Sequence, residues 1–224
     1  MEQDLTDRRT IVPDVSSASP AGHGYAVDGR VLVSVTKVIG TVLRAPQLEE
    51  WMKRMGSQAD VIRDEAAAFG KSVDAALTAF VGGNRLVPLD MPDNWRLTLE
   101  AGKRWLSEHV EEVYAVQQPI ASLKYGYAGT PDLYCRLRRQ KLPTFIDYKA
   151  TGDIYWSHRA QLAAYRQAGK ESYPDRPAGR LILHLDKDEP GKVRAYPLKH
   201  HERDFALFGY LLGAYNIMKT GVKS

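Results

Sequence analysis

A single cysteine, Cys135, stands in this chain of 224 residues. That scarcity excludes an internal disulfide, a four-thiolate iron–sulfur cluster and a cysteine-built zinc site, and it fits a reducing cytoplasm. Long apolar runs are also missing: no stretch of about eighteen uninterrupted apolar residues occurs, so no membrane span is expected. No charged-then-apolar leader opens the sequence, so no signal peptide is expected either. These absences predict a soluble, cytoplasmic protein. Internal repeats are lacking, and low complexity is confined to the first residues. Gly70-Lys71-Ser72 ends like a phosphate-binding loop, but the first glycine of that motif would fall at Glu65 and no strand precedes it, so nucleotide binding there is rejected. His200-His201 reads as a polar helix start rather than a ligand pair, because adjacent residues do not share a helix face.

What is present suits one globular domain. Hydrophobic residues make up 44% of the chain, enough at this length to bury a sizeable core. The formal net charge is +4 and the pI about 9.0, a modest surplus compatible with a polyanionic partner. Residues 1–22, polar, small and without periodicity, read as a flexible tail. Residues 23–224 read as the domain: a helical part over about 34–110, a core over about 111–200 and a closing helix over about 201–219.

Asp28-Gly29 between two apolar runs predicts a tight hairpin, followed by a helix capped by Ser34. Residues Gln47 to about Phe80 are good helix formers, and the glycines at 56 and 70 predict two or more helices. Trp95, Leu99, Gly102, Leu106 and Val110 form one stripe of a further helix over about 94–110. A strand is expected over about Val113 to Ile120, another over Thr130 to Leu137, and a third around Phe145 to Lys149, the last two joined by a hairpin at Arg138-Arg139-Gln140-Lys141. Leu181–Leu185 and Val193–Tyr196 predict a later hairpin, and Phe205, Phe208, Leu212 and Tyr215 a final amphipathic helix.

Chemistry concentrates in Gly126-Tyr-Ala-Gly-Thr-Pro-Asp132, Ile146-Asp147-Tyr148-Lys149 and Gln161-Leu-Ala-Ala-Tyr165. On a strand, residues two apart share a face, so Asp147 and Lys149 project together, and the hairpin brings Asp132 near Asp147. Two close carboxylates repel unless a cation neutralises them, and hard oxygen ligands favour Mg²⁺ or Mn²⁺. Such an ion orients and acidifies water, while Lys149 offers fixed positive charge to a developing phosphorane. Gln161, on a helix from about 154 to 167, reaches the same place. Each group alone has an ordinary reading: Asp147 and Lys149 as a solvated strand pair, Asp132 as a turn residue, Gln161 as a surface glutamine. Tyr125, Tyr127, Tyr148, Tyr155 and Trp156 crowd the region; half or more belong to the core by expectation. Tyr155 and Trp156, at a helix start, are the ones suited to stack on unpaired bases, and Lys71 is a candidate phosphate contact.

At Gly-Thr-Pro-Asp132, Asp147-Tyr-Lys149 and Gln161-Leu-Ala-Ala-Tyr165 the chain resembles the PD-(D/E)xK nuclease superfamily, and within it the RecB-like phage exonucleases and the mitochondrial genome maintenance exonuclease. His23-Gly-Tyr25, Asp28-Gly29, Ser34-Val-Thr36 and Phe69-Gly70-Lys-Ser-Val-Asp74 extend the resemblance to residues 23–185. It implies an α/β (α+β) fold with a restriction-endonuclease-like αβββαβ core, a mixed central sheet and added N- and C-terminal helices. It also implies a Mg²⁺- or Mn²⁺-dependent deoxyribonuclease in which Asp132 and Asp147 ligate the metal, Lys149 is catalytic and Gln161 organises the site. The sequence departs from the pattern in three places. Asp74 stands where relatives have a histidine, and becomes a third candidate ligand. Gln117 stands where a glutamate is common on the first core strand, so the two changes conserve charge. Ala150 replaces a threonine or serine.

The expected function is exonuclease action at DNA ends in phage-type recombination, repair or degradation. Expected partners are DNA, single-stranded or with free ends, and a single-strand-binding or recombination protein. An endonuclease or flap nuclease with the same site, a catalytically silent DNA-binding accessory protein, and an α/β domain without a nucleic-acid role remain as alternatives.

Overall fold

The computed structural model describes residues 16–17, 24–43, 54, 56, 58–83, 91–174 and 178–221. Ten strands and five helices occur among them. Ser16–Ser17 (β1), Gly24–Val27 (β2) and Arg30–Ser34 (β3) lead into helix Val35–Val42 (α1). Helices Gln58–Val81 (α2) and Asp93–His109 (α3) follow, then strands Val110–Val116 (β4), Ile120–Ser122 (β5), Tyr127–Gly129 (β6), Leu133–Leu137 (β7) and Pro143–Lys149 (β8). Helix Trp156–Ser172 (α4), strands Gly179–Leu185 (β9) and Val193–Pro197 (β10), and helix His201–Thr220 (α5) complete the order.

The larger sheet runs β10-β9-β8-β7-β4, the smaller β1-β2-β3-β6-β5. In the larger sheet β8 and β9 are parallel and every other pair antiparallel. A parallel pair needs a crossover, and α4 is that crossover. Setting aside β5 and β6, the order α3-β4-β7-β8-α4-β9 is the expected αβββαβ with a mixed sheet, a nuclease-like α+β fold. Alternation along β7 and β8 makes the layers. Leu133, Cys135, Leu137, Ile146 and Tyr148 face α2 and α3, where Phe69, Val73, Leu77, Leu99 and Leu106 meet them. Tyr134, Phe145 and, from β9, Ile182 face α4 and α5. Burial lifts the Cys135 thiol to about 12, which leaves it an inert core group.

Local signals behave as their chemistry requires. Asp28 and Gly29 both take positive φ (48° and 73°), the two-residue turn that fits the twist of β2 and β3. Ser34 Oγ accepts from the Lys37 amide at 3.0 Å and caps α1. The Asp188-to-Gly191 hairpin joins β9 and β10 as expected. His201, the first residue of α5, is buried and stacked on Phe205; burial and the nearby Arg166, Arg180 and Lys170 pull its pKa down to about 4, so it enters the core as a neutral ring.

Three expectations are corrected. Gly70 does not interrupt α2, which is one helix of 24 residues. A mid-helix glycine costs only about 1 kcal/mol, and the buried Phe69-Val73-Ala76-Leu77 face outweighs it. The strand expected over Val113 to Ile120 is two strands in different sheets, β4 and β5, broken at Gln117, whose φ is +45°. The strand expected over Thr130 to Leu137 is shorter, Leu133–Leu137 (β7) in the larger sheet; Thr130 to Asp132 link it to β6, which ends at Gly129 in the smaller sheet. Within the expected tail, Ser16–Ser17 pair with Tyr25 and Ala26; the rest of residues 1–22, and the helical stretch over 47–53, lie outside the described residues.

The crossover helix is seated by small residues. A Cβ on Gly169 would lie 2.5 Å from Phe145 Cζ on the strand beneath. Gly169→Ala is expected to destabilise the protein by about 1–3 kcal/mol, read as a lower urea midpoint with unchanged slope.

Candidate active site

The register of β7 against β8 pairs Leu133 with Ile146. One step further along the same ladder, Asp132 stands opposite Asp147, at the end of β8 where the two sheets meet. Residues opposite one another on antiparallel strands share a face. Asp132 therefore joins Asp147 and Lys149 on the α4 side. Its carboxylate accepts the Tyr148 amide at 2.6 Å, and its backbone carbonyl accepts the Gln117 amide at 3.0 Å. Asp132 is thus tied both to β8 and to the break between β4 and β5.

Asp147 is only 1% exposed. Lys149 Nζ lies 2.5 Å from its Oδ2, with the lysine side chain 17% exposed. Gln161, from the first half of α4, donates through Nε2 to Asp147 Oδ1 at 3.2 Å and to the Tyr165 hydroxyl at 2.9 Å. The second bond matters because Tyr165 is buried and follows Gln161 by one helical turn, so it fixes the amide in the orientation that faces Asp147. Tyr165 in turn lies against Gly129, where any Cβ would strike its ring. The glycine of the Gly-Thr-Pro-Asp segment is therefore a packing requirement for the helix that carries Gln161. Tyr25 OH and Thr130 Oγ1, 2.9 Å apart, tie the smaller sheet to the same segment.

Asp74 comes from α2 on the opposite side of the sheet. Gln117 Nε2 donates to its Oδ2 at 3.3 Å, so the two positions that depart from the pattern the sequence resembles are in contact. Asp74 Oδ1 is buried without a hydrogen-bond partner. Burial raises the pKa of Asp74, Asp132 and Asp147 above 3.8; the charge of Asp147 raises Asp74 and Asp132 further, and Asp74 also raises Asp132. Lys149 opposes this in all three. Its own pKa is raised despite burial, because Asp147 and then Asp132 and Asp74 hold its proton. It is a fixed ammonium through neutral pH.

Among the described residues no three His, Cys, Asp or Glu side chains form a ready metal-holding group. The expected set Asp74, Asp132 and Asp147 shares one electrostatic neighbourhood but is not drawn together as three convergent ligands. Each acid is engaged by a protein donor: Gln117 on Asp74, the Tyr148 amide on Asp132, Lys149 on Asp147. The donor chemistry suits a hard divalent cation: carboxylate oxygens only, mutually repelling, one of them orphaned in the interior.

The remaining expected residues separate. Tyr127 and Tyr148 are core, whereas Tyr125, Tyr155 and Trp156 are exposed. Lys71 is exposed on α2, one turn before Asp74. Two histidines were not anticipated. His184 stands in register with Lys149 on β9, is buried, and bonds Thr151 O at 2.7 Å through Nε2. His158 lies one turn before Gln161 on α4, a helical spacing that the sequence does display. Burial, Lys149 and His184 pull its pKa down to about 4.

No protein-family model matches the chain, and no curated protein matches it in sequence. Among solved structures it is similar to a crystal structure from Eubacterium rectale named "Putative exonuclease", with a TM-score of 0.50 and 11% identity over 68% of each chain. At that identity the likeness is one of fold.

The raised acids make a signed prediction for stability. A carboxyl whose folded pKa exceeds 3.8 contributes stability that is complete below that pH and is lost as pH rises through the folded value. Lys149, raised from 10.5, contributes up to that pH and loses it above. In a chelating buffer, Asp132→Asn is therefore expected to be at least as stable as wild type at neutral pH and to flatten the decline above pH 3.8. Urea titrations across that range check it; an Asn variant with the wild-type slope contradicts the charge assignment.

Proposed function

We propose that this protein is a metal-dependent DNA exonuclease of the PD-(D/E)xK type, hydrolysing phosphodiester bonds at DNA ends. The observation that carries the reading is the assembly of Asp132, Asp147, Lys149 and Gln161 from two neighbouring strands and the crossover helix. Buried in-register carboxylates beside a fixed ammonium match the needs of phosphoryl hydrolysis, in which charge grows on equatorial and leaving oxygens. The nuclease-like fold supports the same reading.

Asp132 and Asp147, with Asp74 as the third, would hold Mg²⁺ or Mn²⁺. When bound, such an ion supplies Lewis acidity toward the phosphate and lowers the pKa of water. The protein groups do the rest. Lys149, kept protonated by Asp147, presents positive charge where the phosphorane develops and is not a base at neutral pH. Gln161 fixes the carboxylate plane of Asp147 through a bond whose other end is held by Tyr165. Lys71, exposed on the helix that carries Asp74, would contact a flanking phosphate. The cellular setting we assign is recombination, repair or degradation of phage-type DNA in the cytoplasm, beside a single-strand-binding or recombination protein.

A second reading has its own observation. Gln117 brings no charge to the site and its amide occupies Asp74, which favours a DNA-binding accessory protein without turnover. Incubation of end-labelled single-stranded, duplex and closed circular DNA with Mg²⁺, Mn²⁺ or EDTA separates the possibilities. The expected result is metal-dependent shortening of linear DNA with circles intact. Cut circles indicate an endonuclease, and binding without cleavage the accessory protein. Lys149→Ala and Asp147→Asn are each expected to lower cleavage by about 100-fold or more. Independently of activity, Mg²⁺ or Mn²⁺ is expected to raise the thermal midpoint of wild type but not that of Asp132→Asn. An equal shift in both removes Asp132 from the ligand set.

A further inference from the structure

The start of α4 carries two adjacent aromatic residues in the open, Tyr155 at 53% and Trp156 at 48% exposure. Large rings exposed in sequence are unusual, because each leaves apolar area in water that a core would remove. Tyr210 is more exposed still, yet it stands singly on α5. Tyr155 is held in place. His158 Nδ1 accepts the Tyr155 amide at 3.3 Å, the His158 amide donates to the Tyr155 carbonyl at 3.1 Å, and the two rings meet edge to face with centroids 5.4 Å apart at 72°. The preceding loop is braced as well: Asp153 Oδ1 accepts the Ile154 amide at 2.7 Å, and Thr151 Oγ1 donates to the Asp153 carbonyl at 2.7 Å.

Tyr155 borders the site through His158. His158 feels the charge of Lys149, and Gln161 follows it by one turn. The first turn of α4 contains no acidic residue, so its free amide groups oppose no phosphate. The His158 ring is neutral at physiological pH and keeps its acceptor toward the Tyr155 amide.

Resting on the nuclease reading above, we infer that Tyr155, braced by His158, and the adjoining exposed Trp156 form a seat on which an unpaired nucleobase stacks, so that the substrate is a single-stranded or frayed DNA end. A stacking face reads no sequence, since every base has a π face; a paired base in a duplex hides that face. Substrate form is thereby selected by the rings, and cleavage by the acids and lysine beside them. His158 acts here as a positioning residue for Tyr155.

The test compares wild type with Tyr155→Ala/Trp156→Ala, titrated in EDTA onto a fluorescent oligothymidylate and onto a blunt hairpin duplex. The expected result is a loss of about tenfold or more in affinity for oligothymidylate with duplex affinity unchanged. Tyr155→Phe/Trp156→Phe, which keeps both faces, is expected to bind as wild type. Equal losses on both DNAs, no loss on oligothymidylate, or a loss in the phenylalanine variant each overturns the seat. The duplex titration also reports whether the alanine variant is folded. Metal-dependent cleavage by wild type together with unaltered strand preference in the alanine variant sinks the seat and leaves the nuclease standing. Wild type that binds neither DNA sinks both.

Discussion

Everything at the site is arranged around one costly interaction, the buried contact between Asp147 and Lys149 at the end of β8. Two charges removed from water lose hydration that a single Coulomb contact repays only with good geometry and further hydrogen bonds. The fold supplies these from different directions. Gln161 bonds the second carboxylate oxygen, Tyr165 holds Gln161, and Gly129 leaves room for Tyr165. Asp132 then adds negative charge that keeps the lysine ionised. A core built for stability alone would carry apolar residues at 147 and 149. Their burial as ions on a central strand is a stability cost that the proposed nuclease reading would account for.

The sequence and the structure agree most closely where local chemistry is decisive. The Asp28-Gly29 turn, the Ser34 cap, the hairpin between β7 and β8 and the helical placement of Gln161 each follow from rules that act over a few residues. So did the pairing of Asp147 with Lys149, which needs only the period of a strand. Position at a helix start marked Tyr155 and Trp156 as the candidates for exposure, whereas Tyr125 could not be told from Tyr127 and Tyr148 by residue type, because whether an aromatic is core or surface depends on what the rest of the chain places over it.

The failures share one cause. Thr130 to Leu137 reads as one strand, yet Thr130 to Asp132 carry the chain from β6 in the smaller sheet to β7 in the larger, and nothing local marks that crossing except Thr130-Pro131. Val113 to Ile120 is divided in the same way by Gln117, a residue with no intrinsic preference for positive φ. Sheet membership is a long-range property, set by partners such as Ser34 for Ala128 and Leu133 for Val116. His184 escaped for the related reason that its closeness to Lys149 arises from the parallel register across the crossover.

The hydrogen bond from the Gln117 amide to the Asp132 carbonyl closes the neck of the whole excursion over residues 118–131 through the smaller sheet. The chain leaves the larger sheet and returns to it at nearly one point. A loop pinned at its neck can grow or shrink at its far end with little entropic consequence, since closure cost rises only with the logarithm of length. The turn at Leu123 to Gly126 is accordingly a graft point: peptide could be lengthened there while the acids beyond β6 keep their positions.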